Sequence, residues 1–246
     1  MRRLHPEPVT ETTVAEETAT LDLASRAHAD RPYVVTNFVI SVDGRATIGG
    51  RSGPIGSEAD TAMLVALRTR VDALMIGAGT MRAERYGRAI ADPAKRARRE
   101  REGLAPDPLM VLVSGNLDLP WEAPLFTEGG GEVVILTASE ADPPATATAV
   151  EVRRFEGRVD LAAALAQLRA ERGVRTLLCE GGPILHAELV EAGLVDELLV
   201  TRAPKLVGGA GPGLVTGLAE ADRALELASL LLEPDTGELF ARYRVA

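Results

Sequence analysis

Two glycine-rich turns are the segments of this chain best suited to hold a charged ligand. They read Gly77-Ala78-Gly79-Thr80 and Glu180-Gly181-Gly182-Pro183, and each follows an apolar run and leads towards a helix. Glycine lets backbone approach a ligand closely, and a helix start aims free N–H groups and a positive dipole end at an anion. Pro183 suits a first helical turn, because the N–H it lacks had no partner there. Both turns fall at the carboxyl ends of predicted strands, where open α/β sheets bind ligands. Neither is the G-x-G-x-x-G dinucleotide fingerprint. Each alone reads more readily as a plain turn; the pair brings a phosphate-bearing cofactor to equal standing with that reading.

Glu180 directly follows the apolar run Leu177-Leu178-Cys179. Its carboxylate is expected at the sheet edge, where it can orient an amine or lactam N–H of a heterocycle or take part in proton transfer. It can equally be satisfied by the N–H groups of its own turn. Asp43, in Ser41-Val42-Asp43-Gly44, is the second catalytic candidate, although Asp-Gly after a strand is first of all a turn. Arg68 borders the apolar face of a helix, where it can clamp a phosphate in bidentate fashion or simply snorkel to solvent. Cys179 is the single cysteine and reads as an inert core residue. His5, His28 and His186 are scattered without ligand spacing, so no metal is expected. No G-x-S-x-G elbow is present, which weighs against a hydrolase.

The elements that must carry these residues alternate between strand and helix. Tyr33–Ile40 is rich in β-branched residues and bounded by Pro32 and Asp43-Gly44, the pattern of a strand. Ser57 caps a helix, with Asp60 expected to return a bond to the Ser57 N–H, and Met63, Leu64 and Leu67 follow at helical spacing. Further strands are predicted at 73–76, 109–113, 132–136, 176–179 and 194–201, with helices at 161–171 and from Pro183 to about Gly193. A closing pair of strands, 224–232 and 239–245, surrounds Asp235-Thr236-Gly237. This alternation predicts a largely parallel sheet covered on both faces, with an antiparallel hairpin at its edge. Residues 1–31 read as a loosely ordered arm with a short helix near 21–29, and 32–246 as one domain. Residues 84–106 read as a charged surface insertion, its basic run 95–101 a solvated helix or loop.

The chain has 246 residues, a net charge of −9 and 3% aromatics. That balance argues against a phosphate-backbone surface and against base-stacking platforms, so no nucleic-acid partner is expected. No membrane span and no signal peptide are expected either, and one cysteine suits a reducing compartment, so the location expected is cytoplasmic.

Taken in order, several segments resemble one family. They are Thr36-Asn37-Phe38-Val39-Ile40-Ser41-Val42-Asp43-Gly44, then Ser52-Gly53-Pro54-Ile55 before the helix with Arg68, then Asp72 to Thr80. Leu178 to Pro183, Gly193 to Leu198 and Ala203-Pro204-Lys205-Leu206-Val207-Gly208-Gly209 complete the set. The ordered set resembles the reductase domain of the bifunctional deaminase–reductase of riboflavin biosynthesis, from about Tyr33 onward. The resemblance implies a dihydrofolate-reductase-like fold, NADPH as cofactor and a homodimer. It implies hydride transfer to C1′ of the ring-opened imine of a ribosylaminopyrimidine 5′-phosphate.

By the same resemblance, Gly77, Gly79, Thr80, Glu84, Gly181, Gly182, Pro183, Ile184 and Leu185 belong to the cofactor half. Asn37, Ser52, Arg68, Arg88 and Glu180 belong to the substrate half, with Arg68 on the phosphate. Glu84 stands in for the family's acid after the Gly-Thr turn, and Arg88 for its phosphate-binding arginine, while the family's Pro and Thr are replaced. These departures leave open a divergent branch that reduces dihydrofolate or another small heterocycle, and a non-catalytic NADPH-binding protein.

Overall fold

The computed structural model describes residues 1–217, 220 and 222–245. In chain order the elements are β1 (Arg2–His5), α1 (Val14–Ala19), β2 (Tyr33–Ile40), α2 (Glu58–Arg68), β3 (Ala73–Gly77), α3 (Ala78–Glu84), α4 (Pro93–Arg101) and β4 (Leu109–Val113). There follow α5 (Pro124–Thr127), β5 (Glu132–Thr137), β6 (Ala149–Arg154), α6 (Leu161–Arg172), β7 (Thr176–Cys179), α7 (Pro183–Glu191), β8 (Glu197–Arg202), β9 (Leu225–Leu232) and β10 (Leu239–Val245). The strands join in one sheet of order β1-β9-β10-β8-β2-β7-β3-β4-β5-β6. From β8 through β6 every pairing is parallel, and β10, β9 and β1 add antiparallel strands at one edge. The expected α/β architecture with its antiparallel C-terminal pair is therefore borne out.

Buried parallel strands need apolar side chains on both faces, and the sequence supplies them. Val35, Leu74, Ile76, Leu112, Ile135 and Leu178 pack on one face in a single cluster with Met63 and Leu67 of α2, Met81 of α3 and Phe126 of α5. Val34, Met75, Val111, Val134, Leu177 and Cys179 face α6 and α7. Burial pushes the Cys179 thiol up to about 12, which leaves it inert.

The register across the centre decides where function can sit. Thr36 and Met75 both pair with Cys179, so Asn37, Glu180 and the end of β3 share one row at the carboxyl edge. Two bonds fix that row, Glu180 N–H to the Met75 carbonyl at 3.0 Å and Gly77 N–H to the Gly181 carbonyl at 2.8 Å.

Several expectations need correction. Residues 1–31 supply strand β1, helix α1 with a Thr13–Glu16 capping box, and a 3-10 turn at Ala24–Arg26, in place of a loose arm with a helix near 21–29. Strand β6 lacked the apolar density to be noticed. Strand β8 begins at Glu197 rather than 194, because the Gly193 and Leu194 N–H groups close the end of α7 on the Val190 and Leu189 carbonyls; the Asp196 carboxylate accepts the Val34 N–H and the Arg31 guanidinium just before the strand. The capping box at α2 does not form; Ser57 caps Ala59 N–H alone.

The basic run is a helix, α4, but it is not simply solvated. Arg99 is 0% exposed and donates to the carbonyls of Arg68 (3.0 Å), Val71 (2.8 Å) and Ala105 (2.8 Å). Arg98 donates to Thr69 Oγ1 at 2.8 Å. The run thus satisfies carbonyls at the end of α2 that the helix itself leaves open. We expect Arg99→Leu to strand three buried carbonyls and cost about 2–4 kcal/mol. Urea unfolding checks this; a loss below about 0.5 kcal/mol, the range of ordinary surface substitutions, would contradict it.

Candidate active site

The cleft at the carboxyl edge encloses about 300 Å³ and is lined by Asn37, Ser52, Asp60, Gly79, Thr80, Glu84, Tyr86, Glu180, Gly182 and Pro183, among others. Its deepest charged group is Glu180, whose side chain is 3% exposed. Arg68 holds that carboxylate with two parallel bonds, Nε to Oε1 at 2.7 Å and Nη2 to Oε2 at 2.6 Å. The Tyr86 hydroxyl donates to Oε2 at 2.8 Å. The guanidinium lies 5.4 Å from the Tyr86 ring centroid, and its Nη1 donates to the Ala89 carbonyl. Burial beside the Glu180 charge drives the Tyr86 hydroxyl well above its ordinary range, so it stays a donor.

The two glycine turns meet here. Gly77 ends β3 and caps α3, and Gly182 caps α7; neither helix has a side-chain cap, so first-turn N–H groups face outward. Gly181 sits at φ +98°, and a Cβ at Gly182 would lie 2.8 Å from Thr80 Oγ1. Leu185 is buried against Gly77, whereas the Ile184 side chain is exposed. The Phe38 and His186 rings pack in a tilted pair, centroids 4.6 Å apart, with Phe38 against the Gly181 turn.

Other expected residues fall differently. Arg68 is 15% exposed and stands behind Glu180, so its guanidinium is not free to clamp a phosphate. Arg88 pairs with Asp107 and lines a separate depression with Asp107 and Arg172. Asp43 is spent on a turn: its carboxylate accepts Ser41 Oγ (2.6 Å) and the N–H groups of Val207 (3.1 Å) and Gly208 (2.7 Å), which hold it far below the usual carboxylate range. Those contacts explain why it does not reach the cleft. Glu84 and Ser52 are tied together, Glu84 Oε1 accepting Ser52 N–H at 2.8 Å and Ser52 Oγ at 3.0 Å. Asn37 lies between the cleft and a neighbouring cavity of about 230 Å³ walled by Arg3, Glu17, Thr18 and Arg242.

Two cleft residues went unnoticed in the sequence, Tyr86 and Asp60. Tyr86 gave no signal as a lone aromatic in a polar stretch. Asp60 did give one, since it lies in line with Met63, Leu64 and Leu67 on the apolar stripe of α2.

With the geometry described, comparison with known proteins becomes specific. The model of the RibD C-terminal domain matches residues 32–233. The chain belongs to that family. It is similar to the 2,5-diamino-6-ribosylamino-4(3H)-pyrimidinone 5′-phosphate reductase of Archaeoglobus fulgidus, 33% identical over 183 residues, 73% of this chain and 83% of the relative. It is similar also to the riboflavin biosynthesis protein RibD of Bacillus amyloliquefaciens, 32% identical over 76% of this chain, but spans only 49% of that protein. Among solved structures, a pyrimidine reductase-like protein from Corynebacterium diphtheriae superposes with a TM-score of 0.74 at 24% identity, covering 96% of this chain and 99% of that one. The Archaeoglobus relative is named for a reductase activity and the Bacillus relative for riboflavin biosynthesis. No helix among the described residues is long and apolar enough to cross a membrane.

Asp60 yields a prediction independent of activity. Burial, with the Glu238 charge adding to it, raises its carboxyl from 3.8 to about 6, against the opposing bond from Thr201. A carboxyl whose folded value is raised binds more protons folded than unfolded between about pH 4 and 6. Stability therefore falls as pH rises through that window, and the full cost stands above it. We predict that Asp60→Asn stabilises the fold by about 1–3 kcal/mol at pH 8 and not at pH 3.5. Urea titrations at the two pH values check this; an equal effect at both would contradict it.

Proposed function

We propose that the protein is an NADPH-dependent reductase of a ribosylaminopyrimidine phosphate, acting in riboflavin biosynthesis. The observation that carries this reading is the meeting of two uncapped glycine turns beside one buried, oriented carboxylate, in a chain of the RibD C-terminal domain family.

The cofactor half fits a dinucleotide by its chemistry. Gly79 and Thr80 in α3, and Ile184 and Leu185 after Pro183 in α7, are the residues whose backbone N–H groups would meet its diphosphate. A Cβ at Gly79 would touch nothing within 4 Å, so the backbone there is open to approach. When bound, a reduced nicotinamide supplies hydride to an electrophilic carbon. The residues of the chain do the rest. Glu180, fixed by Arg68 and Tyr86, accepts N–H bonds from the exocyclic amine or lactam edge of the heterocycle. Asn37 lies beside Glu180 on the adjacent strand, and the Ser52–Glu84 pair also lines the cleft. Leu64, Phe38 and Pro212 lend apolar surface that keeps water from the reacting carbon. The same reading makes the protein a cytoplasmic homodimer, and exposed Ile184, Val215 and Leu225 offer apolar surface for a second copy.

Gly79→Asp tests the cofactor half. The open space at Gly79 accepts the side chain, so the fold is expected to keep its melting temperature. The added carboxylate is expected to weaken NADPH by about tenfold or more, a loss of ~1.4 kcal/mol. Fluorescence titration with NADPH measures it, and unchanged affinity in the folded variant would remove this turn from the cofactor site.

A further inference from the structure

The structural contribution that Asp60's position explains is a first-turn charge at the positive start of α2. It stands in the first turn of α2, where Ser57 already supplies the cap. Its carboxyl lines the cleft with Asn37, Leu64 and Glu180. Gly56 makes room for it: a Cβ at Gly56 would lie 2.3 Å from Asp60 Oδ2, so a side chain there would displace the carboxyl. Thr201 of β8 lies near it and holds its carboxyl somewhat lower than burial alone would. Burial on the apolar stripe, and to a lesser extent the Glu238 charge, disfavour its ionised form, so holding it there is expected to cost stability at neutral pH. A group kept at such a cost inside a reaction cleft is a candidate for chemistry.

The reduction also has an unfilled role. Hydride addition to a C=N bond leaves an electron pair on nitrogen that must take a proton. Glu180 is bidentate to Arg68 and accepts Tyr86, an arrangement that keeps it ionised and a poor donor. Glu84 accepts two bonds from Ser52 and lies beside Arg51. Asp43 is committed to its turn. Asp60 is the carboxyl in the cleft without a cationic partner among the described residues.

We propose that Asp60 is the general acid that protonates the substrate nitrogen during reduction. This rests on the reductase reading above. C1′ of the ring-opened imine accepts hydride from the reduced nicotinamide, the C=N pair passes to nitrogen, and nitrogen takes the Asp60 proton. The products are the saturated amine, oxidised nicotinamide and the Asp60 carboxylate, which solvent reprotonates. A carboxyl poised near 6 suits this task at physiological pH.

The charged and titratable groups near Asp60 are Glu238 beside it, Glu84, Glu180 and Tyr86 across the cleft, Arg68 and Arg51 on their carboxylates, and Glu17 on the α1 side of α2. Glu17 accepts Thr12 Oγ1 and pairs with Arg3. Only Glu238 is close enough to raise Asp60 by its charge.

The test is single-turnover hydride transfer from NADPH to the ribosylaminopyrimidinone phosphate across pH 5–9 (~0.5-unit steps), with the Asp60 carboxyl titrated by ¹³C NMR in ligand-free protein. In the natural chain the rate is expected to be flat below about 6 and to fall about tenfold per unit above, with the carboxyl resonance titrating at the same point. Asp60→Asn is expected to be about 100-fold slower and flat with pH, with NADPH affinity unchanged. Glu238→Gln, which removes the like charge, is expected to move both the break and the NMR titration to lower pH. Full rate and an unchanged profile in Asp60→Asn would overturn the assignment and leave the reductase reading standing. Absence of turnover in the natural chain would overturn both.

Discussion

A carboxylate buried at the base of a cleft, as Glu180 is, has to be paired, because an isolated charge there would cost more than the fold can spare. Glu180 meets that requirement through Arg68 and Tyr86, and much of the architecture serves the pairing. Strand β7 brings Glu180 to the sheet edge. Helix α2 ends on Arg68. Helix α4 returns to satisfy the carbonyls of Arg68 and Val71 through Arg99, so that a residue 31 positions away fixes the helix end that fixes the guanidinium. The loop after α3 lays Tyr86 over both. The result is a carboxylate whose two oxygens point in directions set by packing rather than by solvent.

This constraint also separates the two halves of the site. On one side the paired turns offer backbone N–H groups and no side chain, as befits a diphosphate. On the other side the wall is acidic, with Asp60, Glu84 and Glu180 each in a different electrostatic state. Glu180 is neutralised by an arginine, Glu84 is hydrogen-bonded to Ser52, and Asp60 is desolvated and beside Glu238. Three carboxyl groups in one cleft can therefore hold three different roles, set by environment alone.

The sequence makes the strands, the glycine turns and the position of Glu180 legible, because each is a local pattern of β-branched residues, glycines or a charge at a strand end. Partners distant in the chain are not legible. Arg68 looked free for a phosphate only because its carboxylate lies 112 residues onward, and Arg88 likewise because Asp107 is reached through a fold of the chain. Asp43 was rightly suspected of being a turn, but its N–H partners at 207 and 208 could not be foreseen. Strand β1 is four residues long, polar at all but Leu4, and held by pairing with β9 more than 220 residues away, so no local signal marks it. Asp60 is the instructive case: its place on an apolar stripe was visible, and a helical charge facing inward is a physical signal that the capping reading obscured.

NADPH absorbance loss on mixing the purified protein with a ribosylaminopyrimidine phosphate, beside a parallel reaction with dihydrofolate, tests the proposed reductase activity of this cleft. Saturable oxidation with the pyrimidine and formation of the ribitylamino product are expected. Failure to bind or oxidise NADPH with the pyrimidine, or oxidation with dihydrofolate alone, would contradict that activity.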